Sequence, residues 1–252
     1  MYFHKNGVAL AATLGCLLMV GCATDTPKSV HQNKEEYLGR SFAPTHLSRS
    51  LLEAAAQSAE KPLPFNKLII KQATTVKYPT GMTTEWSSDT VYRNAGNGLV
   101  EGVITYYSNG IETQTLFELT YRGIYPLIWQ IIPSNNVKMP FVGQVKSISQ
   151  IDRSFDKPSL NFVYRTSWNA PRAMDGDGSR SCTSTGVYPA SKLNSKMQGE
   201  AREYDCNVTN DNGIASALQK YVYLDAYGVA FVKSMKKTDL NLNWRFVDFK
   251  VE

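Results

Sequence analysis

Histidine is scarce in this chain. There are three, His4, His31 and His46, and none follows in the remaining sequence. The commonest general base is therefore missing from most of the chain. That argues against a Ser-His-Asp or Cys-His mechanism and against a His-ligated zinc site there. Charge is also sparse, at 19% of residues, and the 27 Lys and Arg are scattered rather than clustered. A nucleic-acid partner, which would call for a basic stripe, is not expected. No glycine-rich phosphate loop of the required spacing and no fixed-period repeat is present. The apolar stretch from Gly7 to Gly21 has 15 residues. As a helix it would extend about 22 Å, short of the roughly 30 Å hydrocarbon core of a bilayer.

What the amino terminus does have is an ordered boundary. MYFHKN carries Lys5, an uncharged run follows, and the chain turns polar after Cys22. A positive start, a short apolar middle and a small residue at the end describe a signal peptide over residues 1–21; the alternative is a buried N-terminal helix. Met19-Val20-Gly21-Cys22 resembles the lipobox of bacterial lipoproteins, with Met19 where leucine is usual. Cys16 sits too early in the apolar run to be the equivalent residue. The resemblance covers only the first 22 residues. It implies that Cys22 carries a diacylglyceryl thioether, becomes the first residue of the mature chain and gains further acylation, palmitate included. Membrane lipid would then be a partner through acylated Cys22. Two or three acyl chains anchor far more firmly than one. Ala23, in place of Asp, resembles lipoproteins passed on to the outer membrane. The expected location is therefore the bacterial cell envelope, with the domain in the periplasm or at the cell surface.

Residues 22–43 are polar and aperiodic and read as a flexible tether, with a reach of roughly 25 Å. The expected globular domain is 44–252. It opens with a short helix in which Leu47, Leu51, Ala54, Ala55 and Ser58 share a face, ended by Pro62 and Pro64. From Leu68 the pattern changes to β-branched and aromatic runs separated by Gly- and Asn-rich turns. Ser108-Asn109-Gly110 is the strongest hairpin cue. Residues 169–198 read as loop, allowing a subdivision near 170. In the last segment the apolar phase passes from Leu240, Leu242, Trp244 and Phe246 to Val247, Phe249 and Val251. Such a shift predicts a bulge at that point. With about ten strands and one leading helix, the fold class is mainly β, an antiparallel sandwich or barrel.

Once the signal is removed and Cys22 acylated, Cys182 and Cys206 remain. An even pair in an exported chain predicts a disulfide, against a free thiol or a metal ligand. Candidate chemistry is thin. Ser-x-x-Lys occurs at Ser58–Lys61, Ser154–Lys157 and Ser234–Lys237 without its companion motifs. Asp175-Gly-Asp177-Gly-Ser179 lacks the closing glutamate of a calcium loop, Gly186 standing there, and reads as a solvated turn. The pairs Glu200/Glu203 and Asp152/Asp156 look like surface charge. Tyr106, Tyr107, Trp129, Tyr221, Tyr223, Tyr227 and Trp244 are either cross-strand packing or the lining of a ligand pocket. No cofactor, metal or catalytic residue is assigned. Two functions stay open: a non-catalytic binding or assembly module with a possible envelope protein partner, or a hydrolase of envelope glycans working with carboxylates alone.

Overall fold

The computed structural model of the chain describes residues 25–55, 62–170, 175–209 and 215–252. The signal segment, Cys22, Ser58, Lys61 and the Asn210–Gly213 turn lie outside the described residues. Three short helices lead, α1 (Pro27–Gln32), α2 (Lys34–Ser41) and α3 (Arg49–Ala55). Twelve strands follow: β1 (Lys67–Lys77), β2 (Thr83–Gly96), β3 (Leu99–Ser108), β4 (Ile111–Tyr121), β5 (Tyr125–Pro133), β6 (Gly143–Ile151), β7 (Ser159–Trp168), β8 (Gly176–Pro189), β9 (Glu200–Thr209), β10 (Ala215–Leu224), β11 (Val229–Lys236) and β12 (Asn241–Val251). Each pairs antiparallel with its neighbour in sequence, and β12 pairs back to β1, closing a barrel. Every strand thus has a neighbour on both sides. The chain on either side of residue 170 belongs to this one sheet, because β7 pairs with β8.

The strands form where side chains alternate. In β1 the buried positions are Leu68, Ile70, Gln72, Thr74 and Val76, with period two. Asn97-Gly98, Asn109-Gly110 and Arg122-Gly123 all have positive φ at both residues. That is the type I′ geometry whose twist matches a two-residue hairpin. The predicted bulge is present. Lys71 pairs with Asp248 and Gln72 with Phe246, so Val247 is the extra residue and stands exposed. Phe246 and Phe249 both remain buried because the bulge resets the alternation.

Two expectations are corrected. The chain from residue 25 to 43 is not a flexible tether. Thr26 and Ser29 cap α1 reciprocally, and Val30, Tyr37, Leu38 and Phe42 are buried. The helices pack on the outer face of β3–β6. Phe42 stacks on Phe117 at 5.8 Å between ring centres, Tyr37 meets the same ring edge-on at 5.0 Å, and the Tyr37 hydroxyl donates to Gln130 Oε1 at 2.7 Å. Here the barrel wall is thin, since β5 and β6 share only Ile128↔Gln144 and Trp129↔Gly143. The helical layer covers apolar side chains of this outer face, Phe117 among them. The helix expected from Pro44 divides into a 3₁₀ turn over Pro44–His46 and α3, which buries Leu51 and Ala55.

The second correction concerns residues 169–198. They contain β8, a 14-residue strand, rather than loop throughout. Asp177 therefore lies on the exposed face of a strand, and Asp175 pairs with Arg165 at 3.9 Å. Cys182 and Cys206 face each other directly across β8 and β9, both buried, with Sγ atoms 2.07 Å apart. The predicted disulfide thus joins neighbouring strands and does not clamp a loop.

Candidate functional site: the barrel cavity

Alternation gives β3, β4 and β5 two different faces. Thr115, Phe117 and Leu119 are buried on the face that meets the helices. Ile104, Leu116, Glu118 and Trp129 point the other way and line a cavity of about 320 Å³ inside the barrel. Across it stand Gln72 from β1, Tyr92 from β2, Tyr164 from β7, Arg180 from β8, Tyr221 from β10 and Phe231 from β11. A cavity of this size lies at the lower end of small-ligand sites. One end of the barrel is plugged. There Arg122 donates to the Gly228 carbonyl at 3.0 Å, and Phe155 stacks on Tyr223 at 4.5 Å. At the other end Ile131 lines the cavity and is 46% exposed. Met82, Ile111, Val137 and Phe141 are exposed in the hairpins at that same end.

A closed barrel of twelve strands is wider than the roughly eight-stranded barrels that side chains fill. Here three large aromatic side chains lie against the wall. Tyr92 is directly cross-strand to Gly102, Trp129 to Gly143, and Tyr164 to Gly178. A Cβ on those glycines would come within 2.8 Å of the Tyr92 ring, 2.4 Å of Trp129 and 2.7 Å of Tyr164. Real contacts do not approach so closely, so only glycine lets each ring lie flat over the neighbouring strand. The lumen is thereby left open. Tyr92 also stacks on Phe231 at 5.3 Å, which holds it in that pose.

The polar groups in the cavity include some that are incompletely paired. The Tyr92 hydroxyl donates to Glu118 Oε1 at 3.1 Å. Burial pushes the Glu118 carboxyl up to about 7, and the Tyr92 hydrogen bond and the Arg180 charge hold it from rising further. Near neutral pH this acid is therefore shared between its two protonation states. Arg180 is 7% exposed, with its guanidinium 4.9 Å from the centre of the Tyr221 ring. Its Nε and Nη1 are buried without a hydrogen-bond partner. Gln72, 8% exposed, leaves its Nε2 unpartnered as well. A guanidinium is always charged in a protein, and an unpaired buried donor costs about 1–3 kcal/mol, more when charged.

Four of the seven singled-out aromatics, Tyr106, Trp129, Tyr221 and Trp244, line this cavity. The others do not. Tyr223 stacks on Phe155, and Tyr227 packs on Phe249 at 4.9 Å. Tyr107 falls on the opposite face of β3 from Tyr106. Glu203 is held by the Tyr188 hydroxyl and by Lys233, and Asp152 accepts from the Asn161 amide at 2.8 Å. His31 pairs with Glu112 at 2.7 Å beneath α1. Among the described residues no His, Cys, Asp and Glu side chains cluster as a metal site would require. The sequence reading missed Gln72, Glu118 and Arg180. Their signal is a polar residue at an inward position of an alternating strand, which is visible for Glu118 between Phe117 and Leu119.

No family model and no curated protein matches the chain. Among solved structures it is similar to a β-barrel-like protein of a domain of unknown function, DUF1849, from Brucella abortus. That match has 7% identity over 75% of this chain and 99% of that one, with a TM-score of 0.40. A DUF1329 family protein from Desulfovibrio piger matches at 9% identity over 75% of this chain and 87% of the other, with a TM-score of 0.37.

Proposed function

We propose that the protein is a non-catalytic binding module of the bacterial cell envelope, anchored in the outer membrane through acylated Cys22. It holds a small ligand inside its barrel, with the domain in the periplasm or at the cell surface. The observation that carries the binding role is the open lumen itself. Three aromatic rings are laid against glycines, and the space they leave is walled by mixed aromatic, aliphatic and polar surface, with Gln72 and Arg180 holding unsatisfied donors. The anchor rests on the lipobox resemblance. Asp25, the first described residue, follows Cys22 by three positions and pairs with Arg40 of α2 at 2.5 Å. A span of that length reaches about 10 Å at most, so an acylated Cys22 would keep the helical side of the barrel close to the bilayer. The exposed apolar residues at the open end suit a position beside lipid.

The alternative, a carboxylate-dependent hydrolase, needs a second acid facing the first across roughly 5–10 Å. Among the described residues lining the cavity, Glu118 is the sole carboxylate. The test of location is fractionation of cells producing the full chain or Cys22→Ser. The full chain is expected in the membrane fraction with a lipid-modified N-terminus, and the variant unprocessed and unacylated. Equal processing and equal membrane association of the two would sink the anchor. Affinity capture from solubilised membranes tests the binding role. A bound molecule is expected, and turnover of cell-wall glycans by the purified protein would contradict the non-catalytic reading.

A further inference from the structure

The cavity carries more information than its volume. Among the described residues, its lining has two charged side chains, Glu118 and Arg180. Arg180 is nine-tenths buried, yet two of its three guanidinium nitrogens have no partner. Its contacts are chiefly aromatic, the Tyr221 ring and hydroxyl first among them, and its charge also acts on Glu118. Such a group retains a large unmet demand for an acceptor. Arginine presents its donors as a planar fork that fits a carboxylate bidentately. Glu118, shared between protonation states near neutral pH, can add a donated hydrogen bond when it holds its proton, and the unpaired Gln72 amide supplies another donor. A single cation beside a part-neutral acid balances one negative charge, not two. The rest of the wall is mainly aromatic and aliphatic, with Ile104, Leu116 and Phe231 among it, and is interrupted by Thr90, Gln219 and tyrosine hydroxyls.

We propose that the barrel cavity binds a small amphipathic monocarboxylate, its head group held by Arg180 and Gln72 and its apolar body packed along Tyr92, Phe231 and Trp129. This rests on the reading of the protein as a binding module and specifies what it binds. The volume, about 320 Å³, is on the order of ten waters at roughly 30 Å³ each. That suits a ligand of about a dozen non-hydrogen atoms. An acyl-chain acid and an aromatic acid share this chemistry.

The test uses the mature lipidated protein in phosphatidylcholine nanodiscs, with empty nanodiscs subtracted. Probes are decanoate and 1-naphthoate, each with its uncharged amide, followed by calorimetry and by the fluorescence of Trp129 and Trp244 in the lining. One acid or both should bind saturably at one per chain, about ten- to a hundredfold tighter than its amide. Which acid binds separates an acyl source from an aromatic one. Arg180→Met, with its fold checked by circular dichroism, should abolish the preference for acid over amide, because the charge and the fork are both removed. Arg180→Lys should retain part of the preference, because it keeps the charge and loses the fork. Acid and amide binding equally well, or Arg180→Met keeping the preference, overturns the head-group assignment and leaves a binding module standing. Failure of all four probes to saturate overturns this proposal together with the cavity as its site.

Discussion

Glu118→Gln should change how the stability of the barrel depends on pH. Burial holds the Glu118 carboxyl at about 7 in the folded protein, against an ordinary value of 4.5. Between those two values the folded protein keeps a proton that the unfolded chain has released. The associated stability is therefore fully present below about pH 4.5 and is lost as pH rises through 7. At about 1.36 kcal/mol per pH unit the interval from 4.5 to about 7 amounts to at most about 3–4 kcal/mol. Water entering the cavity would reduce that figure. Glutamine keeps the acceptor for the Tyr92 hydroxyl and removes the titration. The assay is equilibrium urea unfolding from pH 4.5 to 8, followed by tryptophan fluorescence, for wild type and Glu118→Gln. Their difference cancels carboxylates common to both. The variant should gain on wild type by about 1–3 kcal/mol across this range, with the change centred below pH 7. A difference independent of pH, or one favouring wild type as pH rises, would refute the placement of Glu118 in a desolvated wall.

Removing the disulfide as Cys182→Ser with Cys206→Ser should lower unfolding free energy by about 3 kcal/mol in the chain-entropy model, for a sequence separation of 24; an unchanged urea midpoint would contradict it. Gly102→Ala places a Cβ 2.8 Å from Tyr92 and 2.9 Å from Glu118, so it should cost about 1–3 kcal/mol by overpacking and weaken cavity binding in the same titrations. Phe117→Ala, which removes the ring shared by Tyr37 and Phe42, should cost about 3–5 kcal/mol. It should also raise amide exchange in α2 and the wall beneath it before the rest of the barrel, whereas uniform exchange would mean that the helices do not pack as a separate layer.

Much of the barrel was legible because its signals are local. The Asn109-Gly110 hairpin and the extra residue at Val247 each follow from a few neighbouring side chains. β8 was not legible, for a reason the structure makes plain. Its inward positions alternate correctly but are filled by Gly176, Gly178, Arg180 and Cys182, so no apolar period two exists to be seen. The cause is tertiary: Gly178 accommodates the Tyr164 ring, and Arg180 faces the cavity. The helices over residues 27–41 were hidden likewise. They are short, they contain few apolar residues, and they are held by Phe117 and Gln130, far away in sequence. The aromatic set contained part of the lining, but sequence does not reveal which rings share a cavity. Strand parity and closure decide that.

The claim on which the account turns is that the lumen is kept open for an acid. The most direct measurement is of what leaves the cavity when the protein is taken from membranes under native conditions, denatured, and its extract examined by negative-ion mass spectrometry beside Arg180→Met. The account predicts one or a few small monocarboxylates at near-stoichiometric yield from wild type and a sharp depletion in the variant. Extracts that do not differ between the two proteins would contradict it.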